Sequence, residues 1–515
     1  MTDTQAPTGR VYRSPFASIV GDDTMRATFG PAKDWRGKHV VVINWRSSGH
    51  PAAGGAELYC ESVAEELVSS GVKVTYLTAR AKGQASREQT RFGRVVRGGG
   101  TLGVYVFVLL WLLLHRRSVD GVIDSMNGIP FLSPLTLRRR TPIVRVIHHV
   151  HQEQFDVWFP KPIARFGQFM EKRVAGWIYG RRTVCTVSPS SRAEIRRVLG
   201  TKGQILLAPC GMQMPAGVER EPAAVPRIVV VGRVVEQKRL DVLVRSFPLI
   251  AEQVPQVELH IVGSGVALPA LQALVAEMGL GERVTCHGRV SEADRDALVA
   301  SAWVTASASD REGWGLSTVE SAASGVPGVA LMVPGLRDAI RDGETGWLVD
   351  TFGSAERSLA AGIVAALRQV ADPDVADEWA RRCADWASRF TWAATADHLL
   401  SALTAEKQRL SMHSRENRYG TDDATLVVVP RDLAYRVRWD GLRVTDRVDF
   451  RDTDVTALLY GADEYDARRA LHRLGVDLSD SRVIVQPARN RDLLGWRSGA
   501  PAATTILPSI EKTAA

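Results

Sequence analysis

Cysteine is scarce in this sequence, and its placement excludes more than its number does. Cys60, Cys185, Cys210, Cys286 and Cys383 form no C-x-x-C pair and leave an odd count. Neither a disulfide scaffold nor a zinc ribbon is encoded, and a reducing compartment, the cytoplasm, is expected. Long hydrophobic runs are missing too. The most apolar stretch, Leu102–Leu114 (LGVYVFVLLWLLL), would reach about 20 Å as a helix against roughly 30 Å of bilayer hydrocarbon, so a packed helix is expected there. Met1–Phe16 lacks the apolar centre of a secretory signal, and none is expected. A dense Lys/Arg arm, a zinc-finger spacing and an aromatic-rich RNA-binding signature are absent, so nucleic acid is not an expected partner.

What is present is a globular composition: 515 residues, 45% hydrophobic and 24% charged, enough for about three folding units. Lys and Arg outnumber Asp and Glu by 65 to 57, a net +8 that suits anionic lipid or a phosphorylated small molecule. His115-Arg116-Arg117, Arg138-Arg139-Arg140 and the Lys161–Arg182 segment, with Trp177 and Tyr179 among its cations, concentrate that charge. Two readings stay open for them: an ordinary solvated face, or peripheral contact with the inner face of a membrane.

Short uninterrupted apolar runs read as buried parallel strands, since helices cover both faces of such a sheet. They occur at His39–Asn44, Lys73–Leu77, Gly121–Asp124, Pro142–His148 and Thr183–Val187. A second series follows at Arg227–Val231, Glu258–Val262, Arg283–His287 and Ala302–Ala306. The helix expected at Ala56–Ser70 completes the first βαβ unit. The fold class is therefore α/β: two Rossmann-like, doubly wound domains facing a cleft, plus a small C-terminal α+β appendage. The expected divisions are a leader over 1–37, domains over 38–210 and 211–405, a linker over 406–423, the appendage over 424–497 and a flexible tail over 498–515. In the appendage, strands are expected at Ala424–Val429, Tyr435–Trp439, Leu442–Val444 and Arg482–Gln486, and a helix at Asp466–Leu474.

Ligands of open parallel sheets sit at the carboxyl ends of strands, which directs attention to the residues just after each run. Gly54-Gly55-Ala56-Glu57 precedes a helix, where bare amides and the helix dipole favour an anion, although a tight turn would read the same. Arg233 and Lys238 follow the strand at Arg227–Val231, where two cations can neutralise a diphosphate through charge-assisted hydrogen bonds. In Ser309–Gly325 (SDREGWGLSTVESAASG), Glu312 can accept from sugar hydroxyls, Gly313-Trp314-Gly315 offers backbone amides, and Glu320 can grip a ribose diol. Ser317-Thr318-Val319-Glu320 also fits a capping box, which would make Glu320 a helix cap. His148, His149 and His151 lack the H-E-x-x-H spacing of a zinc site, so a hydrogen-bonding role for His148 and structural roles for His149 and His151 are expected. Gly263-Ser264-Gly265 lacks the third glycine of a dinucleotide fingerprint, and the D-x-D tripeptides fall away from strand ends.

Taken together these elements resemble the family 4 glycosyltransferases of the GT-B fold, over roughly Lys38–Leu403. The E-x7-E arrangement of Glu312 and Glu320 within EGWGLSTVESAASG carries most of the resemblance. It is joined by GGAE at Gly54–Glu57, Arg233 with Lys238, Val262-Gly263-Ser264-Gly265 and the Ser188–Arg192 segment (SPSSR). The resemblance implies that Arg233 and Lys238 bind a diphosphate, Glu320 the ribose, and Glu312 with Gly313, Trp314 and Gly315 the donor sugar and phosphate. The base would rest near Gly288–Val290, hence Arg289 and Val290, and His148 would contact the transferred sugar. Gly54, Gly55, Gly232, Gly263, Leu316 and Ser317 complete the implied donor-binding set.

The implied activity is retaining, metal-independent transfer from a nucleotide-diphosphate sugar to a hydroxyl of a glycan, lipid-linked or small-molecule acceptor, with no cofactor. The acceptor would enter from the amino-terminal domain, and a helix within Trp379–Leu403 would cross back over it. Two departures stand out: Cys210-Gly211 replaces the family's frequent Asn-Gly, and nothing after Leu410 has a counterpart. A GT-B sugar-nucleotide epimerase and a non-catalytic nucleotide-sugar-binding scaffold remain as alternatives.

Overall fold

The structure, a computed structural model, describes residues 32–48, 50, 54–212, 220–349, 353–411, 424–435, 437–442, 447–451, 453–460, 462, 464–480 and 482–487. The expected tail, most of the leader and most of the linker lie outside the described residues. The chain divides into two compact units, residues 1–414 and 415–515.

In the larger unit, the apolar runs become the inner strands of two sheets. The first lobe carries β1 (His39–Ile43), β2 (Lys73–Ala79), β3 (Arg87–Thr90), β4 (Gly93–Gly98), β5 (Gly121–Ser125), β6 (Ile143–Val146), β7 (Val184–Thr186) and β8 (Ile205–Leu207), ordered β3-β4-β2-β1-β5-β6-β7-β8. The second lobe carries β9 (Arg227–Val231), β10 (Glu258–Val262), β11 (Val284–Gly288), β12 (Val304–Ser307), β13 (Gly328–Leu331) and β14 (Gly346–Val349), ordered β11-β10-β9-β12-β13-β14. In each sheet the order reverses beside the first strand, the position at which sheets of this kind bind ligands.

The sequence reading missed five strands at the margins of these two sheets: β3, β4, β8, β13 and β14. The β3–β4 hairpin adds an antiparallel edge, and its outer strand, REQT, is polar and exposed, so no apolar alternation marks it. Near the other margin, β13 and β14 are four residues each and give little pattern to read.

Helices of the first lobe are α1 (Gly55–Ser69), α2 (Gly100–His115), α3 (Gln152–Trp158), α4 (Lys161–Phe169), α5 (Ala175–Tyr179) and α6 (Pro189–Glu194). The expectation that α2 is a packed helix holds for one face only. Val104, Val108 and Leu112 are buried, whereas Leu102 and Leu114 are 81% and 80% exposed.

The helix Trp392–Ser411 returns from the second lobe to pack on α1, β5, β6 and β7. Its Glu406 is fully buried and accepts from Thr183 N (3.1 Å) and Thr183 Oγ1 (3.0 Å), while Arg182 Nη1 (3.1 Å) and Arg409 neutralise it. Residues 406–411, expected as linker, are thus helix, because a buried carboxylate needs these partners to be stable. Trp35, within the expected leader, is 3% exposed and donates Nε1 to Thr404 Oγ1 at 2.9 Å.

The smaller unit is an antiparallel sheet of β15 (Ala424–Pro430), β16 (Arg447–Phe450), β17 (Asp454–Tyr460) and β18 (Ile484–Pro487), ordered β16-β17-β15-β18, with a helix at Glu464–Arg473. The strand expected at Tyr435–Trp439 does not form. Pro430 opens a short helix, Arg431–Ala434, and Trp439 Nε1 donates to Ala434 O at 3.1 Å, which turns the chain at Trp439–Gly441. Leu442 ends that turn, and the rest of the strand expected at Leu442–Val444 lies outside the described residues.

Candidate active site

The loops after β9 and β12 are latched side by side. Lys238 Nζ meets Glu312 Oε1 at 2.5 Å, Arg239 Nη1 meets Asp310 Oδ1 at 2.9 Å, and Gln237 Nε2 donates to Arg311 O at 2.9 Å. Ser309 Oγ also donates to Glu312 Oε1, at 2.7 Å. An ammonium has three donors, so Lys238 can hold Glu312 with one and keep two for other oxygens. Beside this pair lies a small hollow whose walls include Gly232, Arg233, Ser307, Ser309, Ser317 and Thr318. Arg233 is exposed and, among the described residues, forms no ion pair.

Gly315, in the left-handed region at φ 92°, starts the helix Leu316–Ala323. Leu316 and Ser317 occupy its first two positions, where amides have no intrahelical carbonyl to meet and the helix dipole is positive. Because Ser317 stands second in the helix, Glu320 is fifth and lies in the second turn, not the first. The capping-box reading of Glu320 therefore fails. Burial raises the Glu320 carboxyl above its ordinary range, opposed by the charges of Arg295 and Lys238.

Seams between the lobes converge on the same loop. Ser191 Oγ contacts both Gly313 O (3.1 Å) and His148 O (3.2 Å), and a methyl on Gly313 would stand 3.0 Å from His148 O. Arg311 reaches across to Glu194 (3.1 Å) and Glu153 (2.9 Å). Ser190 N donates to the buried Asp338 carboxylate at 2.9 Å, and Arg337 Nε donates to Ser190 Oγ at 3.0 Å. The SPSSR segment is thus a pin between lobes.

His148 is brought to this seam, 9% exposed, its ring edge-on to Tyr59 at 4.7 Å. Its Nε2 is buried with no hydrogen-bond partner in the structure. Burial, and then the nearby His151, push its pKa down to about 4, which leaves it neutral near pH 7. His149 and His151 have protein partners instead: Gln154 Oε1 at 3.2 Å and Glu171 Oε1 at 3.3 Å. Among the described residues, no group of three or more His, Cys, Asp or Glu is arranged to hold a metal ion.

The other residues of the expected donor set have the following surroundings. Trp314 is 3% exposed, with its ring 5.0 Å from Phe390, so its indole belongs to the core and the contact expected of it rests on its backbone. Gly263 serves packing: a Cβ there would sit 1.8 Å from Gly232 O. Gly54 caps α1, and its amide donates to Glu57 Oε2 at 2.7 Å. Gly55 is exposed with open space around it, and neither glycine takes part in the described hydrogen bonds across the seam. After β11, Arg289 is exposed and Val290 packs beside Val262, Val299 and Val326.

Sequence reasoning missed Tyr59, Arg311 and Asp338. None belongs to a local motif, because their partners stand 89, 117 and 148 positions away, respectively, in His148, Glu194 and Ser190.

Residues 218–382 match the family model described as glycosyl transferases group 1, and residues 53–214 match glycosyltransferase family 4. The chain is 26% identical over 416 residues to a D-inositol 3-phosphate glycosyltransferase of Nocardia farcinica, covering 72% of this chain and 90% of that one. It is 27% identical over 366 residues to a GDP-mannose-dependent alpha-(1-6)-phosphatidylinositol monomannoside mannosyltransferase of Mycolicibacterium smegmatis, covering 66% and 93%. Among solved structures, sucrose-phosphate synthase of Thermosynechococcus elongatus superposes with a TM-score of 0.57 at 25% identity, covering 70% and 96%. Anabaena HepE in complex with UDP and glucose gives 0.55 at 19% identity, covering 72% and 100%, a likeness of fold.

Proposed function

Because the chain belongs to the family 4 glycosyltransferases of the GT-B fold, we propose that it moves a sugar from a nucleotide-diphosphate donor to a hydroxyl acceptor with retention of configuration and without a metal. The observation that carries this reading is the Lys238–Glu312 pair at 2.5 Å, set beside a hollow rimmed by Arg233 and by the first turn of the helix Leu316–Ala323. Departure of a nucleoside diphosphate concentrates negative charge on its terminal phosphate. Arg233, Lys238 and the amides of Leu316 and Ser317 supply positive charge and hydrogen-bond donors on that side, the role a metal would otherwise fill. Glu320 accepts from the ribose diol.

The sugar gains oxocarbenium character as the bond breaks, so a cation on its other side would oppose the reaction. His148 is neutral near pH 7 and has an unpartnered Nε2, which suits hydrogen bonding to the sugar without charge repulsion. Glu312, held by Lys238 and Ser309, keeps acceptor capacity on Oε2 for sugar hydroxyls. The acceptor, a glycan or lipid-linked hydroxyl, enters from the first lobe, and the enzyme works in the cytoplasm against the inner face of a membrane. The acceptor named for the Mycolicibacterium relative, a phosphatidylinositol monomannoside, supports that choice.

Incubation with nucleotide sugars and lipid or glycan extracts in the presence of a chelator tests the proposal. Acceptor-dependent product of unchanged anomeric configuration is expected. Free sugar formed without acceptor would favour an epimerase, and loss of all turnover with chelator would overturn metal independence.

A further inference from the structure

The first lobe exposes apolar surface that its own fold leaves uncovered. On α2, Leu102, Val106, Leu110 and Leu114 form an outward stripe at four-residue spacing, opposite the buried Val104, Val108 and Leu112. On α4 and α5, Ile163, Phe166, Phe169 and Trp177 are exposed, and Phe169 meets Trp177 edge-on at 5.8 Å. The turn Ser133–Leu135 touches both α2 and α5, and Leu135 is itself exposed, so the two apolar groups share one side of the lobe. Solvent alone does not favour so much clustered apolar area.

The charge around it selects the occupant. Between residues 161 and 181 the exposed ionic side chains are Lys161, Arg165, Lys172, Arg173 and Arg181; the one acid of that span, Glu171, is buried. Arg116 and Arg117 follow α2, and Arg138, Arg139 and Arg140 follow the Leu135 turn, all exposed. A helix that is aromatic and aliphatic outward, with cations beside it, suits a surface that is apolar within and negative at its boundary. The helix α2 is 16 residues long, and no helix of the described residues is long and apolar enough to cross a membrane, so the fit is to the interface and not to a span.

We propose that α2, the Leu135 turn and α4–α5 form one face that docks on an anionic lipid bilayer. The inference deepens the membrane reading above by naming the surface, and it stands on side chains outside the cleft. The face is rooted at the site: Glu171 accepts from His151 N (2.9 Å) and Gln152 Nε2 (2.6 Å), three and four residues after His148. Glu153 of α3 binds Arg311, the neighbour of Glu312. A lipid-linked acceptor held at the bilayer surface would thus be presented beside the cleft histidine.

Flotation of the full chain with vesicles of phosphatidylcholine alone, or of phosphatidylcholine mixed with phosphatidylglycerol, tests the face. The wild type is expected to float with the anionic vesicles only. The triple variant F166S/F169S/W177S should lose at least about tenfold in binding. K161E and K172E should each weaken it by roughly fivefold or more, and added salt should do the same. Melting temperature and turnover of a water-soluble acceptor should stay unchanged in the triple variant. Wild type that remains unbound by anionic vesicles overturns the proposal, whether or not the variants fold. Dimers split by the triple variant without vesicle binding would also overturn it, assigning the face to a second copy. Vesicle binding without any sugar transfer would leave the docking face standing and count against the transferase reading; transfer without vesicle binding would do the reverse.

Discussion

The two lobes of the larger unit share a folding pattern and differ in what they expose. Thirteen large apolar side chains of the first lobe are exposed among the described residues, against Leu249 and Val266 in the second. The second lobe instead gathers ionic pairs at its strand ends, Lys238–Glu312 and Arg239–Asp310. That asymmetry matches the division of labour proposed above, in which one lobe handles a small anionic donor and the other meets something large and apolar. Exposed apolar surface costs stability, and a fold that keeps it does so where it serves binding.

Substitutions that remove one side of this contrast should sharpen it. The largest effect is expected from Lys238→Ala: about a hundredfold lower kcat, roughly 3 kcal/mol of lost charge stabilisation, read by steady-state kinetics with vesicle binding untouched. An equal loss of vesicle binding would break the division.

Acid should act next, through the first lobe's histidine. The unfolded chain takes up the His148 proton near pH 6.5, the folded chain only near pH 4. Stability is therefore full above about pH 6.5 and falls as pH drops toward 4, by roughly 3 kcal/mol at most. Denaturant melts at pH 7 and pH 4.5 should show the loss in wild type and a smaller one in His148→Gln.

The smallest of the three is Gly263→Ala, whose Cβ would overlap Gly232 O and push β9 and β10 apart. About 2 kcal/mol of destabilisation is expected by thermal melting, together with weaker donor binding. An unchanged melting temperature would show that this packing is not needed to shape the hollow.

Much of the strand-end geometry in the second lobe was legible because such motifs are local. Lys238 follows β9 within seven residues, Glu312 follows β12 within five, and parallel strands β9 and β12 are neighbours, so their loops must meet. The inter-lobe pins were not legible, since nothing near Arg311 in sequence signals Glu194, nor near Asp338 signals Ser190. The packing of the Trp314 indole against Phe390 was not legible, because its glycine neighbours speak only for the backbone of the loop. In the smaller unit, β17 (DVTALLY) was missed, and the turn at Trp439 was read as strand because alternating apolar residues at Tyr435, Val437 and Trp439 mimic one. The docking face depends on which side of α2 packs, and an evenly apolar helix carries no such information in its sequence.

The central claim is that protein cations and amides hold the donor's diphosphate. Calorimetric titration with a nucleoside diphosphate and with the matching nucleoside, both in chelator, tests it most directly. Wild type should bind the diphosphate far more tightly, and Arg233→Ala/Lys238→Ala should erase that advantage. Equal binding of both ligands by wild type, or a diphosphate preference that survives in the double variant, would contradict it.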